Sequence, residues 1–471
     1  MPGALDPASA ADLFLEEAGR LGVEYADARV EVYRYRLVVV ENGVVKESSY
    51  TTTTGIGVRV VEAGYQGYAS TTSLEREAIR AAIEEARRNA RAVASAGGVR
   101  VELAGRPARG REASSYKVDP LSVDASEVVE LALAVNKAAS QVEGAVNTIT
   151  RIGIQHDRRV VATTDGGLVD VDVRLVGISH ATTGKAPGGG LEMVYDSKSM
   201  VAGWEFLSQG DWESMAVEVS KLAVEASRAP VPEAGRYTVI LEPEVVGLLL
   251  HEAFGHASEG DIVASGASVL RGRLGERVAP EYVTIVDDGR HPQGYYVPFD
   301  DEASPKGETI VVDRGVLKTH LTGRVEAAEL GLPVTGNARV QSYRHPHLVR
   351  QTNFYMKPGD WGLEEMISDT REGLLITVKG ARGGQTDPGQ GTFTFNMGVT
   401  YRIEGGEIRG VARGVSITGR ILEVLNNIDA VGRDLRVSTS VFGGCGKSGQ
   451  LVRVGDGGPH VRVRGLLIGG R

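Results

Sequence analysis

The chain holds a single cysteine, Cys445, in 471 residues, so no intramolecular disulfide can form and a reducing, cytoplasmic setting is expected. No apolar run approaches the roughly 20 residues that a membrane-spanning helix needs, and no membrane association is expected. Basic residues are also short: 52 Lys and Arg stand against 61 Asp and Glu, a formal charge of -9. Binding nucleic acid needs a basic face to displace counterions from phosphates, so at this net charge nucleic acid is not an expected partner. The opening stretch MPGALDPASAADLFLEEAGRLG lacks the basic head and apolar core of a secretory signal. It reads instead as an amphipathic helix entered through Asp6-Pro7. No repeat of fixed period and no low-complexity block is found, and the 62 glycines are spread through turns.

With 42% hydrophobic and 24% charged residues the chain is globular, and its length calls for two or three domains. DARVEVYRYRLVVVENGVVKESSY alternates apolar and polar residues on both sides of Asn42-Gly43, a dipeptide suited to a tight hairpin. TTSLEREAIRAAIEEARRNARAVA predicts a helix behind a Thr72/Glu75 capping box, and ASEVVELALAVNKAAS predicts another. Strands then flank Asp165-Gly166, and DWESMAVEVSKLAVEASRA returns to helix with Trp212, Met215, Val219 and Leu222 as its core stripe. SRAPVPEAG at 227–235 has two prolines and no periodicity, which makes it the candidate linker. Beyond it VTIVDD, ETIVVDRGVLKTHLTGR, GTFTFNMGVTYRIEGGEI and HVRVRGLLIGG read as strands of a barrel or sandwich. The expected fold class is α+β. A mixed α/β domain over residues 1–230 precedes a mainly antiparallel β domain over 231–471 that carries the metal site.

That site is suggested by LLLHEAFGHASEGD, where His251 and His256 stand five residues apart and Glu252 follows the first. On a regular helix the two rings would point about 140° apart, against about 40° for the HExxH pattern of zinc peptidases. A π-type bulge absorbs one residue and returns positions i and i+5 to one face, and Gly255 would permit it. The spacing therefore predicts a distortion between Leu250 and Ala257. Glu252 then stands where a general base takes a proton from a metal-bound water.

A catalytic zinc also needs a third protein ligand. Glu259 and Asp261 are near in sequence; His291, His320, His345, His347 and Cys445 lie farther off. Among them Cys445 has the best setting, in the glycine-rich SVFGGCGKSGQ beside Lys447, because a thiolate is a preferred zinc ligand. Asp287-Asp288 and Asp300-Asp301-Glu302 read as turn formers before metal carboxylates. GCGKSG imitates a phosphate-binding loop, but GxxxxGK[ST] requires glycine at 441, where this chain has Val441, and strand rather than helix follows.

HEAFGHASEGD, FDDEASPKGET, GNARVQSYRHPHLVRQTNFYM, GGQTDPGQGTFTFN and GGCGKSGQ, in that order along the chain, resemble the TldD family, the metal-bearing members of the TldD/PmbA peptidases. The resemblance implies that His251, His256 and Cys445 bind one zinc per chain and that Glu252 activates its water. It also implies hydrolysis of short or unfolded peptides in an enclosed site, within a dimer formed with a metal-lacking paralogue or with itself. One departure is Ala303-Ser304, where a glycine and a small polar residue are expected, and it bears on whether Asp301 and Glu302 line the site. Tyr343, Arg344 and His345, from the polar cluster SYRHPH, are the candidate oxyanion and substrate-binding residues. A substrate peptide could bind as an added strand. The reading of a different class is a non-catalytic scaffold or modulator subunit with a structural or absent metal.

Overall fold

The computed structural model of the chain describes residues 6–470. Its first helix, Pro7–Leu21, starts at Asp6, whose carboxylate accepts the Ala8 N–H, with Pro7 in the first turn where no intrahelical donor is needed. Strands Tyr25–Glu41 and Val44–Glu62 follow as one long hairpin. Asn42 at φ 49° and Gly43 at φ 76° make its turn, the left-handed pair that matches strand twist. A second long hairpin, Ala145–Thr163 with Leu168–Gly184, turns through Asp165-Gly166. The two hairpins pair antiparallel through Tyr25–Glu41 and Ala145–Thr163, forming the middle of a seven-stranded sheet.

Helices cover this sheet in pairs. Pro7–Leu21 and Arg76–Ser95 bury Phe14, Ile79 and Ile83 against Val30, Ile56 and Val58. Ala125–Ser140 and Trp212–Ala226 bury Val128, Val135 and Trp212 against Ile152, Ile154 and Val176. Trp212 and Val219 are buried and Met215 and Leu222 half-buried, so the expected core stripe is core. The Thr72/Glu75 capping box does not form. The helix begins at Arg76, leaving Glu75 outside it with no capping hydrogen bond, while Ser73 Oγ accepts the Glu75 N–H. Arg76 and Arg80 of its first turns instead meet on Glu17 of the first helix.

Residues 227–234 carry no helix or strand. Past them, strand Gly235–Leu241 joins a nine-stranded sheet between Glu372–Ile376, parallel to it, and Val461–Gly470, antiparallel to it. A six-stranded sheet includes Ile285–Asp288, Asn353–Met356 and Gly455–Gly458. Most ladders in both sheets are antiparallel, and the fold is α+β. One core joins them: Val245, Leu249 and Phe254 of the histidine-bearing segment pack with Ile285 and Phe354 of one sheet and Phe395 and Val463 of the other. The candidate site is thus set in the middle of the most continuous packing in this half.

Among the described residues no ladder pairs a strand before residue 200 with one after 235. The halves meet through two backbone hydrogen bonds, from the Ala104 and Ala108 N–H groups to the Arg324 and Ala303 carbonyls at 3.0 and 2.8 Å, and through side chains. Arg29 reaches Asp301 at 2.6 Å and Arg59 reaches Glu302 at 2.8 Å, all four buried. Val171 and Leu175 pack on Tyr295, Phe299 and Val441 beside them. No described helix is long and apolar enough to cross a membrane.

Candidate metal centre

Glu242 and Pro243 start the helix Pro243–Leu249 directly off the strand Gly235–Leu241. At Leu250 the helix widens into a π-turn over Leu250–Gly255, in which the His256 N–H donates to the His251 carbonyl five residues back. The extra residue brings positions i and i+5 onto one face, as the histidine spacing requires. Their ring centroids stand 5.1 Å apart with the planes at 85°.

Gly255 serves this turn for a reason other than the one expected. Its φ of -61° and ψ of -50° are ordinary helical values, so no freedom peculiar to glycine is used. What matters is the missing Cβ, because the Gln351 side-chain amide occupies its place. Gln351, fully buried, donates from Nε2 to the His251 carbonyl at 3.1 Å and so satisfies a group that the π-turn leaves with room for a second donor.

The third donor arrives from the far end of the chain. Strands Cys445–Lys447 and Gln450–Val452 form a hairpin whose turn, Ser448 at φ 49° and Gly449 at φ 76°, explains the KSG motif as turn chemistry rather than a phosphate loop. Buried Arg350 donates to the Cys445 carbonyl and holds this hairpin against the histidines. Cys445 Sγ lies 3.2 Å from His256 Nε2, and one ligand atom each from His251, His256 and Cys445 lies within 4.8 Å of the others. All three residues are buried, and among the described residues no fourth histidine, cysteine or carboxylate joins the group.

The donors suit a borderline-soft cation such as zinc. Burial pushes the Cys445 thiol up, but the two imidazoles outweigh it and bring it down to about 5, favouring the thiolate that ligates. Burial opposes a charged imidazole at His251, yet Cys445 raises it to about 9. His251 Nδ1 is buried without a hydrogen-bond partner. A cluster of convergent donors that keeps one orphan nitrogen fits a site completed by a bound ion.

Behind the donors is a charged support. Glu259 is fully buried, its Oε2 3.0 Å from His256 Nδ1 and 2.8 Å from Lys447 Nζ, and Lys447 also grips Asp261 at 2.7 Å. Burial would raise the Glu259 carboxyl, but His256 and Lys447 prevail and hold it at about 2. Glu259 and Asp261 are therefore neighbours of the ligand set, not members of it. Glu252 differs from all of these: its side chain is 36% exposed and its carboxylate stands 3.9 Å from His256 Nε2, on the accessible side of the cluster. Asp456 stands beside the cluster on strand Gly455–Gly458, raised to about 6 by burial, with the His251 charge opposing and the Glu252 charge adding. Neither Asp456 nor Gln351 was foreseen; Gln351 falls inside a stretch that carries the family resemblance, but nothing in its spacing marks it.

The remaining candidates lie elsewhere. Asp301 and Glu302 are 1% exposed and engaged by Arg29 and Arg59, so they brace the two halves instead of lining the cluster. The departure at Ala303 falls in this turn, at φ 58°, a left-handed conformation that glycine adopts at less cost. Tyr343 is buried too: its N–H donates to Glu31 at 2.9 Å and its carbonyl accepts from the Tyr68 hydroxyl. Arg344 and His345 line a separate polar cavity. None of these five hydrogen-bonds to His251, Glu252, His256 or Cys445. His347 Nε2 lies 2.8 Å from the Asp301 carbonyl, and His291 packs on Tyr355. His320 is buried, and its burial lowers it to about 4.

Sequence profiles described as PmbA/TldA metallopeptidase domain 1, central domain and C-terminal domain match residues 26–90, 118–226 and 234–470. A metalloprotease of Methanothermobacter thermautotrophicus is 35% identical over 452 residues, which cover 95% of this chain and 96% of that one. A zinc metalloprotease TldD homolog of Saccharolobus solfataricus is 39% identical over 262 residues, 55% of this chain and 57% of its own. In fold, TldE from Thermococcus kodakarensis superposes with a TM-score of 0.81 at 20% identity, over 98% of this chain and all of the other. At that identity the likeness speaks for the fold alone.

Proposed function

The chain belongs to the PmbA/TldD family of metallopeptidases, and from that premise we propose that it is a zinc-dependent peptidase acting on short or unfolded peptides. The observation that carries this reading is the convergence of His251, His256 and Cys445 around a position that Glu252 alone of the motif approaches from the exposed side. Three protein donors, with no fourth among the described residues, would leave a coordination position free, as a catalytic rather than a structural zinc requires. When bound, such an ion supplies Lewis acidity toward a carbonyl oxygen and toward water.

The chain's own residues do the rest. His251, His256 and Cys445 would hold the ion, Gln351 fixes the His251 backbone and Glu259 the His256 imidazole, and burial of Cys445 keeps the thiolate from water. Glu252 takes the proton from the attacking water and later passes it to the nitrogen of the leaving amine. A peptide main chain could enter as an added strand and so be held with little regard to its side chains. The working unit in this reading is a cytoplasmic dimer, formed with a metal-lacking paralogue or with a second copy.

The test is metal content by elemental analysis beside cleavage of an unstructured peptide. Wild type and Glu252→Gln should each carry about one zinc per chain, while Cys445→Ala and His256→Ala lose it. Cleavage should fall in all three variants, by about 10²–10⁴-fold for Glu252→Gln, the usual worth of a positioned acid–base group. Full activity in Glu252→Gln would overturn the proposed role of that residue. A zinc-loaded wild type that cleaves nothing would favour the scaffold or modulator reading.

A further inference from the structure

A cavity of about 310 Å³ opens between the N-terminal sheet and the segments 339–345 and 451–453. Five arginines reach its wall, Arg29, Arg159, Arg339, Arg344 and Arg453, against two carboxylates, Glu31 and Asp157. Two of the five are already matched: Arg29 pairs with Asp301 at 2.6 Å, and Arg159 lies 3.6 Å from Asp157 and 3.8 Å from Asp301.

The other three have no carboxylate at ion-pair distance among the described residues. Arg339 is buried and donates only to the Gln351 and Arg453 carbonyls, each at 2.7 Å, and its Nε has no partner. Arg453 donates to Gln155 Oε1 at 2.7 Å and to the Gly443 carbonyl, and Arg344 to the Tyr343 hydroxyl at 2.9 Å. Only Arg339 of the three is taken fully from water, Arg453 being half-buried and Arg344 exposed, and a buried guanidinium without a counterion costs several kcal/mol that an anion in the cavity would offset. The planar guanidinium fork of donors matches a carboxylate with two parallel hydrogen bonds.

The position of the cavity indicates whose carboxylate. Leu451 and Val452 form part of its wall, and Val452 pairs directly with Cys445. Paired strands lie about 4.8 Å apart, so the cavity and the metal cluster share one hairpin as a partition. We propose that this cavity binds a carboxylate of the peptide substrate, seated on Arg339, Arg344 and Arg453. The inference rests on the peptidase reading for the word substrate, but the anion site itself does not.

Binding tests it. Zinc-loaded Glu252→Gln protein is titrated by fluorescence anisotropy with one unstructured labelled peptide in three forms: free C-terminus, amidated, and amidated with an internal glutamate. The free acid should bind at least 10-fold tighter than the amide, and the advantage should shrink to less than 3-fold in Glu252→Gln protein that also carries Arg344→Met or Arg453→Met, each first verified as folded by its melting curve. If the glutamate peptide also regains the affinity, the site takes a carboxylate from either source; if it does not, it takes the C-terminus alone. Equal affinity for the free acid, the amide and the glutamate peptide, with intact arginines, overturns the proposal. Succinate is measured separately by thermal shift, and it should stabilise the parent protein but not the arginine variants. Stabilisation by succinate without binding of any peptide would overturn the peptidase reading and leave the anion site standing. Stabilisation by inorganic phosphate, with succinate inert, would overturn the carboxylate assignment.

Discussion

Glu259 stands with no exposed surface between His256 Nδ1 and Lys447 Nζ. Its charge sets the imidazole's orientation and supports its basicity toward an ion on the far nitrogen, as carboxylates behind metal-bound histidines do. Glu259→Gln keeps the size and one acceptor but removes the charge, leaving Lys447 with Asp261 as its one carboxylate beside the Val349 carbonyl. Zinc affinity should fall about 10–100-fold, read by competition with a chromogenic chelator, with one zinc still bound at saturation. An unchanged affinity would reduce Glu259 to packing. At this scale the sequence was a partial guide: His251, Glu252 and His256 are legible from their spacing, and Cys445 from its glycine-rich setting beside Lys447. Glu259 and Asp261 could be read equally as ligands or as support, because the deciding residue, Lys447, lies 188 and 186 positions away.

Between Leu250 and Gly255 the helix carries a distortion that the five-residue histidine interval called for, since a regular helix would leave the rings diverging. The need for glycine inside it was legible only as a residue type. Its cause is the Gln351 amide, and a contact with a residue nearly a hundred positions later leaves no trace in local periodicity. The expected capping box at Thr72/Glu75 is replaced by local bonds, the Thr71 and Ser73 hydroxyls accepting the Ser73 and Glu75 N–H groups, and the helix starts at Arg76. Gly255→Ala should therefore destabilise the protein by about 1–3 kcal/mol through overpacking. It should also weaken metal binding, since the displaced amide loses the His251 carbonyl. Adding Gln351→Ala should recover part of the stability, so a urea-denaturation cycle should give a coupling of about 0.5–3 kcal/mol between the two sites. Strict additivity would show that Gly255 is required for something other than that contact.

The two halves are legible from the change in pattern across the proline-containing stretch at 227–235, but the way they are joined is not. Asp301 follows Arg29 by 272 positions, and a run of three acids looks like a turn until its partners are known. Burial alone would raise Asp301 and Glu302. Arg29 and Arg159 hold Asp301 below the ordinary carboxylate range, and Arg59 and His347 do the same for Glu302. A carboxyl whose folded pKa lies below its unfolded one binds fewer protons in the folded state. Its contribution to stability is therefore complete above the unfolded value of about 4 and is lost as pH falls through the folded value. Asp301→Asn should remove that contribution at neutral pH and leave Arg29 with Glu31 as its nearest acid, costing about 3–5 kcal/mol because a buried cation loses its partner. Urea midpoints measured from pH 7 down to pH 3 should fall less steeply for the variant than for wild type, so that the gap between them narrows toward the acid end. Zinc content at pH 7 should be unchanged, since no ligand is touched. Coincident curves at all pH values would mean that the Arg29–Asp301 pair adds no net stability, leaving the junction to its other contacts, among them the apolar packing of Tyr295, Phe299 and Val441 on the first sheet.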